Sequence, residues 1–333
     1  LADVEAGKLK GMIIYFGDPV LSWGNQAAIT QAIEKMEFKA AIEAYMCNSA
    51  LLCDVVLPDA TWLEQSQVKP DWLYEAFIGY YAEIVAPMYD SRPMWEITVQ
   101  LARRLNLGQY FPWGSIEDAF RNQMAGTPWS FDELKEKGFI ITDEAEYYKY
   151  KKWGSINPPD GYGSSGNSKT GKYNFLNPVA QEKGVDALPD YKEPEKELQP
   201  DNEYPFIFGN FRVFEHEHSS TFSNYQLMKM RGTNPLWINT LDAQKLGIAE
   251  DDKVKLKSPW GEVEMTAKPT WFIMRGVLGS AGGFGHARGL EGDPKYPQFG
   301  GVNTPSCIMK PNTTEKVGGT TLLKYIKTKV EKI

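Results

Sequence analysis

KGMIIYFGDPVLSWGNQAAITQAIEKMEFKAAIEAY, residues 10–45, decides the fold. KGMIIYFG is an apolar run of strand length that stops at a Gly17-Asp18-Pro19 turn. From Gln26 to Met36 the apolar residues Ala28, Ile29, Ala32, Ile33 and Met36 return at helical spacing, and KAAIEAY is a second apolar run of strand length. Strand, helix and strand in that order predict a βαβ unit, in which the crossover helix lets two parallel strands pair.

Working outward, CDVVLP predicts a short strand ending at Pro58, and MWEITVQLARRL sets Ile97, Leu101 and Leu105 on one helical face. Residues 1–105 are therefore expected to be α/β with a partial parallel sheet. Residues 106–200 include GSINPPDGYGSSGNSKTGKY and LPDYKEPEKELQP, and are expected to be an irregular excursion and linker. From 201 to 333 the period changes. Val254, Leu256, Val263, Met265 and Ala267 alternate around a Pro-Trp-Gly turn, a hairpin with one buried face. PFIFGN and GVLGS add strands, and LDAQKLGI is a short helix that Gly247 can stop in a left-handed cap. A β-rich, barrel-like domain is expected there.

The chain has 333 residues, 42% of them hydrophobic, enough to bury a core in two domains. Its net charge of −7, with acids and bases interspersed, offers no basic stripe for phosphates, so no nucleic acid is expected as partner. No apolar run approaches the roughly 20 residues that span a bilayer, and LADVEAGKLKG has neither the charged start nor the apolar middle of a signal peptide. Membrane contact is expected to come through another subunit. Cys47, Cys53 and Cys307 lack CxxC spacing and read as ordinary thiols.

Two stretches carry candidate chemistry. Ligands of open α/β sheets sit beyond the carboxyl ends of the strands, here the loops FGDPVLSWGN and EAYMCNS. The first could wrap a phosphate or sugar, and Glu43 could accept hydrogen bonds from a ribose or a base edge. Neither GxGxxG nor GxxxxGK[ST] is present, so a plain surface turn remains the other reading. The second stretch is FRVFEHEHSSTFSN, residues 211–224. On a strand His216 and His218 would point the same way, as paired zinc ligands do, with His286 as a distant third. Ser219 or Ser220 with His286 could form a nucleophilic pair, although no GxSxG surrounds them. Arg212, His218, Ser219, Thr221 and Asn224 could together hold a polar, anionic ligand, or the loop could spend its polar groups on its own backbone.

The order of several motifs resembles the C-terminal half of the large subunit of the molybdopterin oxidoreductases, the dimethyl-sulfoxide-reductase family. IIYFGDPVLS resembles that family's YGxNPxxS loop, with Asp18 in place of Asn. IEAYMCNSALLCDVVLPDATWLEQ resembles its D-x-F-x-T-E-T-A stretch and following ADVVLP, with Glu43 where Asp is usual and Asn48-Ser49 in place of Thr and Glu. SKTGKYNF resembles TPSGKxE, PDYKEP resembles P-x-Y-x-EP, and GNFRVFEHEHSSTFSN is similar to GRxxxHxHTGTxT. PLWINTLDAQKLGIAEDDKV matches W-I-N-x-x-D-A-x-x-L-G-I-x-D-G-D-x-V, and GVN and YIKTKVEKI resemble the family's late asparagine segment and closing V-K-V-E-K.

The resemblance implies a nucleotide-binding α/β unit followed by a six-stranded double-psi β-barrel. Its cofactor is bis-molybdopterin guanine dinucleotide with molybdenum or tungsten. Carried over by motif, Gly17, Asp18, Pro19 and Ser22 would hold a phosphate or sugar of one dinucleotide, and Glu43 its guanine. Arg212, His218, Thr221 and Asn224 would line the second pterin, with His286 and Asn303 nearby; His216 has no role in the matched motif. No catalytic residue and no metal ligand is assigned, because the family's metal ligand and its iron–sulfur cysteines precede the matched part. The chain is thus expected to be a fragment, inactive alone, that works with the remainder of the large subunit, an iron–sulfur electron-transfer subunit and a membrane anchor subunit, in the periplasm or held at the membrane by those partners. The complete protein is expected to carry out two-electron chemistry, first of all on thiosulfate or polysulfide. Arsenate, tetrathionate or nitrate reduction, a non-redox hydratase or transhydroxylase, and a cofactor-free scaffold are the alternatives.

Overall fold

The computed structural model describes residues 2–71, 76–143 and 175–333. These gather into two compact units, one of residues 1–57 with 190–333 and the other of residues 58–189. The first expected block is thus cut at 57, and residues 58–105 group with the middle of the chain.

The first unit opens with the expected βαβ. Strands β1 (Gly11–Tyr15) and β2 (Phe38–Glu43) pair in parallel, in the register Gly11 to Phe38 and Tyr15 to Ile42, with the helix Gln26–Glu34 between them. Asn25 starts that helix by accepting the Ala28 N–H at 3.1 Å, which satisfies one of the donors a helix start leaves unpaired. β3 (Val55–Pro58) lies on the far side of β2. Ile14, Ala41 and Ala50 fill the space under the sheet.

In the second unit an antiparallel sheet of β4 (Gln67–Asp71), β5 (Ala76–Tyr81) and β6 (Phe139–Asp143) stands with the helices Met94–Arg104, Ile116–Met124 and Phe131–Lys137. Phe120, Met124, Phe131, Leu134 and Ile140 form its core. The reading of residues 106–200 as irregular is corrected here, since two helices and a strand lie between 116 and 143. Most of SKTGKYNF, with the glycine-rich run before it, lies outside the described residues. Ser115 and Asp118 form a reciprocal capping box at the start of Ile116–Met124. Ser115→Ala is expected to cost about 1 kcal/mol in chemical unfolding, with Ser115→Asp restoring most of it.

The rest of the first unit is a closed barrel of β7 (Phe206–Phe211), β8 (Leu236–Asn239), β9 (Lys253–Ser258), β10 (Gly261–Thr270), β11 (Val277–Ala281) and β12 (Lys324–Lys332), in the order β10-β8-β11-β7-β12-β9. The predicted hairpin is β9 with β10, paired from Ser258–Gly261 to Lys253–Thr266. Alternation has the expected result. Val254 and Leu256 are buried with Phe208, Leu236, Ile238 and Leu278, each such side chain contributing roughly 1.5–3 kcal/mol. On the outside Lys255 meets Glu262 at 3.1 Å and Lys257 meets Glu331 at 2.7 Å. The helix Thr240–Leu246 ends on Gly247 at φ +67°, the left-handed cap read from the sequence. Among the described residues no helix is long and apolar enough to cross a membrane.

Candidate functional site

Within the first unit, the turn after β1 is stitched to the loops of the barrel. Asp18 is buried, and its carboxylate accepts the backbone N–H groups of Asn48 and Ser49, each at 3.1 Å, and the Ser49 hydroxyl at 2.6 Å. Ser49 Oγ in turn accepts the Val20 N–H at 3.0 Å. Of the departures from the family pattern, the acid at 18 and the serine at 49 answer one another through their side chains, whereas Asn48 meets Asp18 by its backbone alone. Glu43, also buried, accepts the Gly17 N–H. Pro19 is buried, and Ser22 donates its hydroxyl to the Asp18 carbonyl at 2.8 Å.

From the barrel side Asn303 donates to the Leu21 carbonyl and to Ser306 Oγ, and Ser306 itself reaches Leu21 O at 2.7 Å. Asn25 donates to Met309 O at 2.9 Å, and Asn48 reaches the glycine-rich loop that carries His286.

The two histidines of residues 211–224 have opposite fates. His216 is 5% exposed, stacked on Phe222 with ring centroids 4.3 Å apart, its Nε2 2.7 Å from the Arg231 carbonyl and its Nδ1 3.1 Å from Thr221 Oγ1. A carbonyl requires a donor, so in the neutral ring Nε2 carries the hydrogen and Nδ1 accepts from the threonine. His218 is exposed at φ +48° beside Glu217, with Arg212 3.8 Å from the same carboxylate. The segment is a turn rather than a strand, so the two rings do not share a face as zinc ligands would. Among the described residues no group of three or more His, Cys, Asp or Glu is arranged to hold a metal.

Thr221 also takes the Glu217 N–H at 3.2 Å, and Asn224 caps the helix Tyr225–Met230 by accepting from Gln226 and Leu227. Thr221 Oγ1 thus serves the His216 ring and the local backbone, and Asn224 Oδ1 the start of its helix. A serine nucleophile paired with His286 is not seen among the described residues: His286 Nε2 lies 3.0 Å from the Gly283 carbonyl, and Ser220 donates to Glu217 O.

A cavity of about 150 Å³ lies where the two sets of loops meet. Gly17, Asp18, Glu43 and Cys47 line it from the β1 and β2 ends, and Ser219, Ser220, Ser223, His286 and Arg288 from the barrel loops. Phe16, Tyr45 and Phe222 add ring surfaces. Tyr45, Ser223, Arg288 and Gly289 also border a wider hollow of about 500 Å³, so the cavity continues outward past Arg288. Of the residues named from sequence, Gly17, Asp18, Glu43, Ser219, Ser220 and His286 come together here. Asn303 and Ser22 brace the wall, and Arg212, His218, Thr221 and Asn224 do not line it.

Burial pushes the Cys47 thiol up to about 11, with Asp18 and Glu43 adding to the rise, so it is no thiolate at neutral pH. Burial likewise lowers the His286 ring below its ordinary value, which keeps it neutral. Sequence reasoning missed Arg288, Tyr45 and Ser223. The first was legible as the one cation in GGFGHARG, whereas the other two depend on which loops the fold brings together.

Comparison with known proteins gives two family matches: molybdopterin oxidoreductase over residues 2–104 and molydopterin dinucleotide binding domain over residues 206–321. The chain is 24% identical over 330 residues to the thiosulfate reductase molybdopterin-containing subunit PhsA of Salmonella typhimurium, covering 94% of this chain and 42% of that protein. It is 26% identical over 308 residues to dimethyl sulfoxide reductase DmsA of Escherichia coli, covering 86% of this chain and 37% of that one. The chain thus spans about two fifths of the length of these relatives. Acetylene hydratase from Pelobacter acetylenicus shares the fold, with a TM-score of 0.78 at 20% identity over 97% of this chain and 44% of that one.

Proposed function

We propose, for a chain that belongs to the molybdopterin oxidoreductases, that the cavity between the Gly17 turn and the His286 loop takes the guanine nucleotide end of a molybdopterin dinucleotide. One observation carries this reading: segments matched to two different family domains build one cavity whose donor set suits a nucleotide. Glu43 is an acidic acceptor for the N–H edge of guanine, and Phe16 and Tyr45 offer rings against which a base can lie. Ser219, Ser223 and Arg288 are donors suited to phosphate and sugar oxygens, while Ser220 spends its hydroxyl hydrogen on the Glu217 carbonyl. Asp18 belongs to this site through its backbone, its carboxylate being engaged with Asn48 and Ser49. Arg212 and His218, exposed beyond the cavity, are proposed to meet a pterin, with Thr221 and Asn224 shaping the loop that carries them.

The cofactor, when bound with molybdenum or tungsten, supplies the two-electron redox chemistry. The residues of this chain bind and orient its nucleotide end and screen it from water. For the complete protein we propose a sulfur oxyanion or polysulfide as substrate, supported by the likeness to the thiosulfate reductase subunit along 94% of the chain. An iron–sulfur subunit, a membrane anchor subunit and a periplasmic site of action belong to the same proposal.

The test is anaerobic purification of the intact protein, assay of pterin and metal, and turnover of thiosulfate, polysulfide and nitrate side by side. Turnover of nitrate alone would remove the sulfur-substrate reading. Glu43→Gln is expected to lower pterin content per protein, since an amide accepts on one atom only and a charge-assisted hydrogen bond is worth roughly 1.5–3 kcal/mol. Unchanged pterin content would take Glu43 out of the site.

A further inference from the structure

We infer that Glu291 and Asn48 are positioning residues that clasp the loop Gly283–Gly289 and so set His286 and Arg288 at the cavity. The inference rests on the nucleotide reading of that cavity for its functional meaning, but its geometry stands apart from it.

Neither residue lines the cavity, while His286 and Arg288 both do. The Glu291 side chain is 2% exposed, and its carboxylate accepts the backbone N–H of Gly285 at 3.3 Å and of His286 at 3.1 Å. Asn48, from the segment after β2, donates Nδ2 to the Gly285 carbonyl at 2.9 Å and accepts the Ala287 N–H on Oδ1 at 2.8 Å. Three successive amides and one carbonyl of the loop are thereby tied, and the His286 ring closes it onto Gly283 O.

Such a clasp answers a physical need. Gly283, Gly285 and Gly289 all have φ between +79° and +103°, and glycines reach so many conformations that a loop built from them must be held to present side chains in one direction. Gly283 is further constrained because a Cβ there would collide with the His218 carbonyl, so this loop also supports the loop of residues 211–224. The clasp is anchored in its turn: the Asn48 N–H is held by Asp18, which braces the opposite wall of the cavity. A carboxylate buried so deeply is costly without donors, and burial does raise Glu291 to about 7, against the pull of the two N–H groups.

The experiment uses the intact protein purified without cofactor from a host unable to make molybdopterin, with guanosine diphosphate as probe. Amide hydrogen exchange and calorimetric binding are measured for the unaltered protein, Glu291→Gln and Asn48→Asp. Glu291→Gln replaces one acceptor by a donor, and Asn48→Asp keeps the acceptor for Ala287 but loses the donor to Gly285. In Glu291→Gln, exchange at Gly285 and His286 is expected to quicken about tenfold, with amides of the barrel core unchanged and the dissociation constant for guanosine diphosphate raised about tenfold, as one lost hydrogen bond gives. Unchanged exchange at both amides would overturn the clasp, and quickened exchange with unaltered affinity would overturn its positioning role. If the unaltered protein binds no guanosine diphosphate, the nucleotide reading falls by itself and the exchange result still decides the clasp. Should Glu291→Gln fail to fold, Asn48→Asp carries the affinity readout through the lost tie to the Gly285 carbonyl, and Asn48→Ala adds the exchange readout at Ala287, whose N–H loses its acceptor.

Discussion

His216→Ala is expected to lower the unfolding free energy of the barrel-bearing unit by about 3–5 kcal/mol, while His218→Ala changes it by less than about 0.5 kcal/mol. The ring at 216 is packed between Phe222, stacked at 12°, and the edge of Phe284, so truncation opens a void in an aromatic cluster. It also strands two polar groups, the Arg231 carbonyl and the Thr221 hydroxyl. Arg231 further donates from Nε to Glu215 at 2.9 Å, so the loop and the end of the helix Tyr225–Met230 lose a shared fastening. Urea unfolding with two probes, one for each compact unit, separates this loss from any change in the unit 58–189. Equal stability of the two variants would show that the His216 ring is not part of the aromatic core. Motif matching gives His216 no role in cofactor contact, and for that contact the proposal still favours His218; for stability the expected order is the opposite.

Asp18→Ala is expected to cost about 3–5 kcal/mol, because it leaves the Asn48 and Ser49 amides and the Ser49 hydroxyl without their acceptor, each buried orphan costing roughly 1–3 kcal/mol. Asp18→Asn, which restores the residue of the family pattern, is expected to cost less, about 1–2 kcal/mol, since one oxygen remains to accept. The measurement is again denaturant unfolding, with amide exchange at Asn48 and Ser49 as the local readout. A loss confined to cofactor content, with stability untouched, would show that the carboxylate faces ligand rather than its own chain.

Much of the architecture was legible because local periodicity and burial coincide. β1, β2 and the helix between them follow from residues 10–45, and the β9–β10 hairpin and the Gly247 cap follow from alternation and one glycine. The parallel pairings β10 with β8 and β11 with β7 were not legible, because their partners lie far apart and no local signal records which strands meet. The helices Ile116–Met124 and Phe131–Lys137 were overlooked although Ser115 and Asp118 stand at capping-box spacing. The Pro- and Gly-rich composition beyond them dominated the reading of the whole segment. At the site, the strand parity of His216 and His218 failed for one physical reason, the left-handed backbone at His218, which resets the direction of the side chain. Glu43 and Gly17 could be named from strand ends. Glu291 could not, since its use depends on a loop folding back over it.

The seams between the β1 turn and the barrel join residues 237 to 285 positions apart, from Asn48 with Gly285 to Ser306 with Leu21. A ribosome adding roughly 5–20 residues per second therefore delivers the Gly17 turn some 12–60 s before the asparagine and serine that secure it. During that interval Ile13, Tyr15 and Phe16, which stay exposed even in the finished fold, have no barrel loops near them and are open to chaperones or to wrong partners. On the nucleotide reading proposed above, the cavity is complete only once the segment carrying Asn303 and Ser306 has been made, so cofactor capture there is expected to follow the synthesis of that segment.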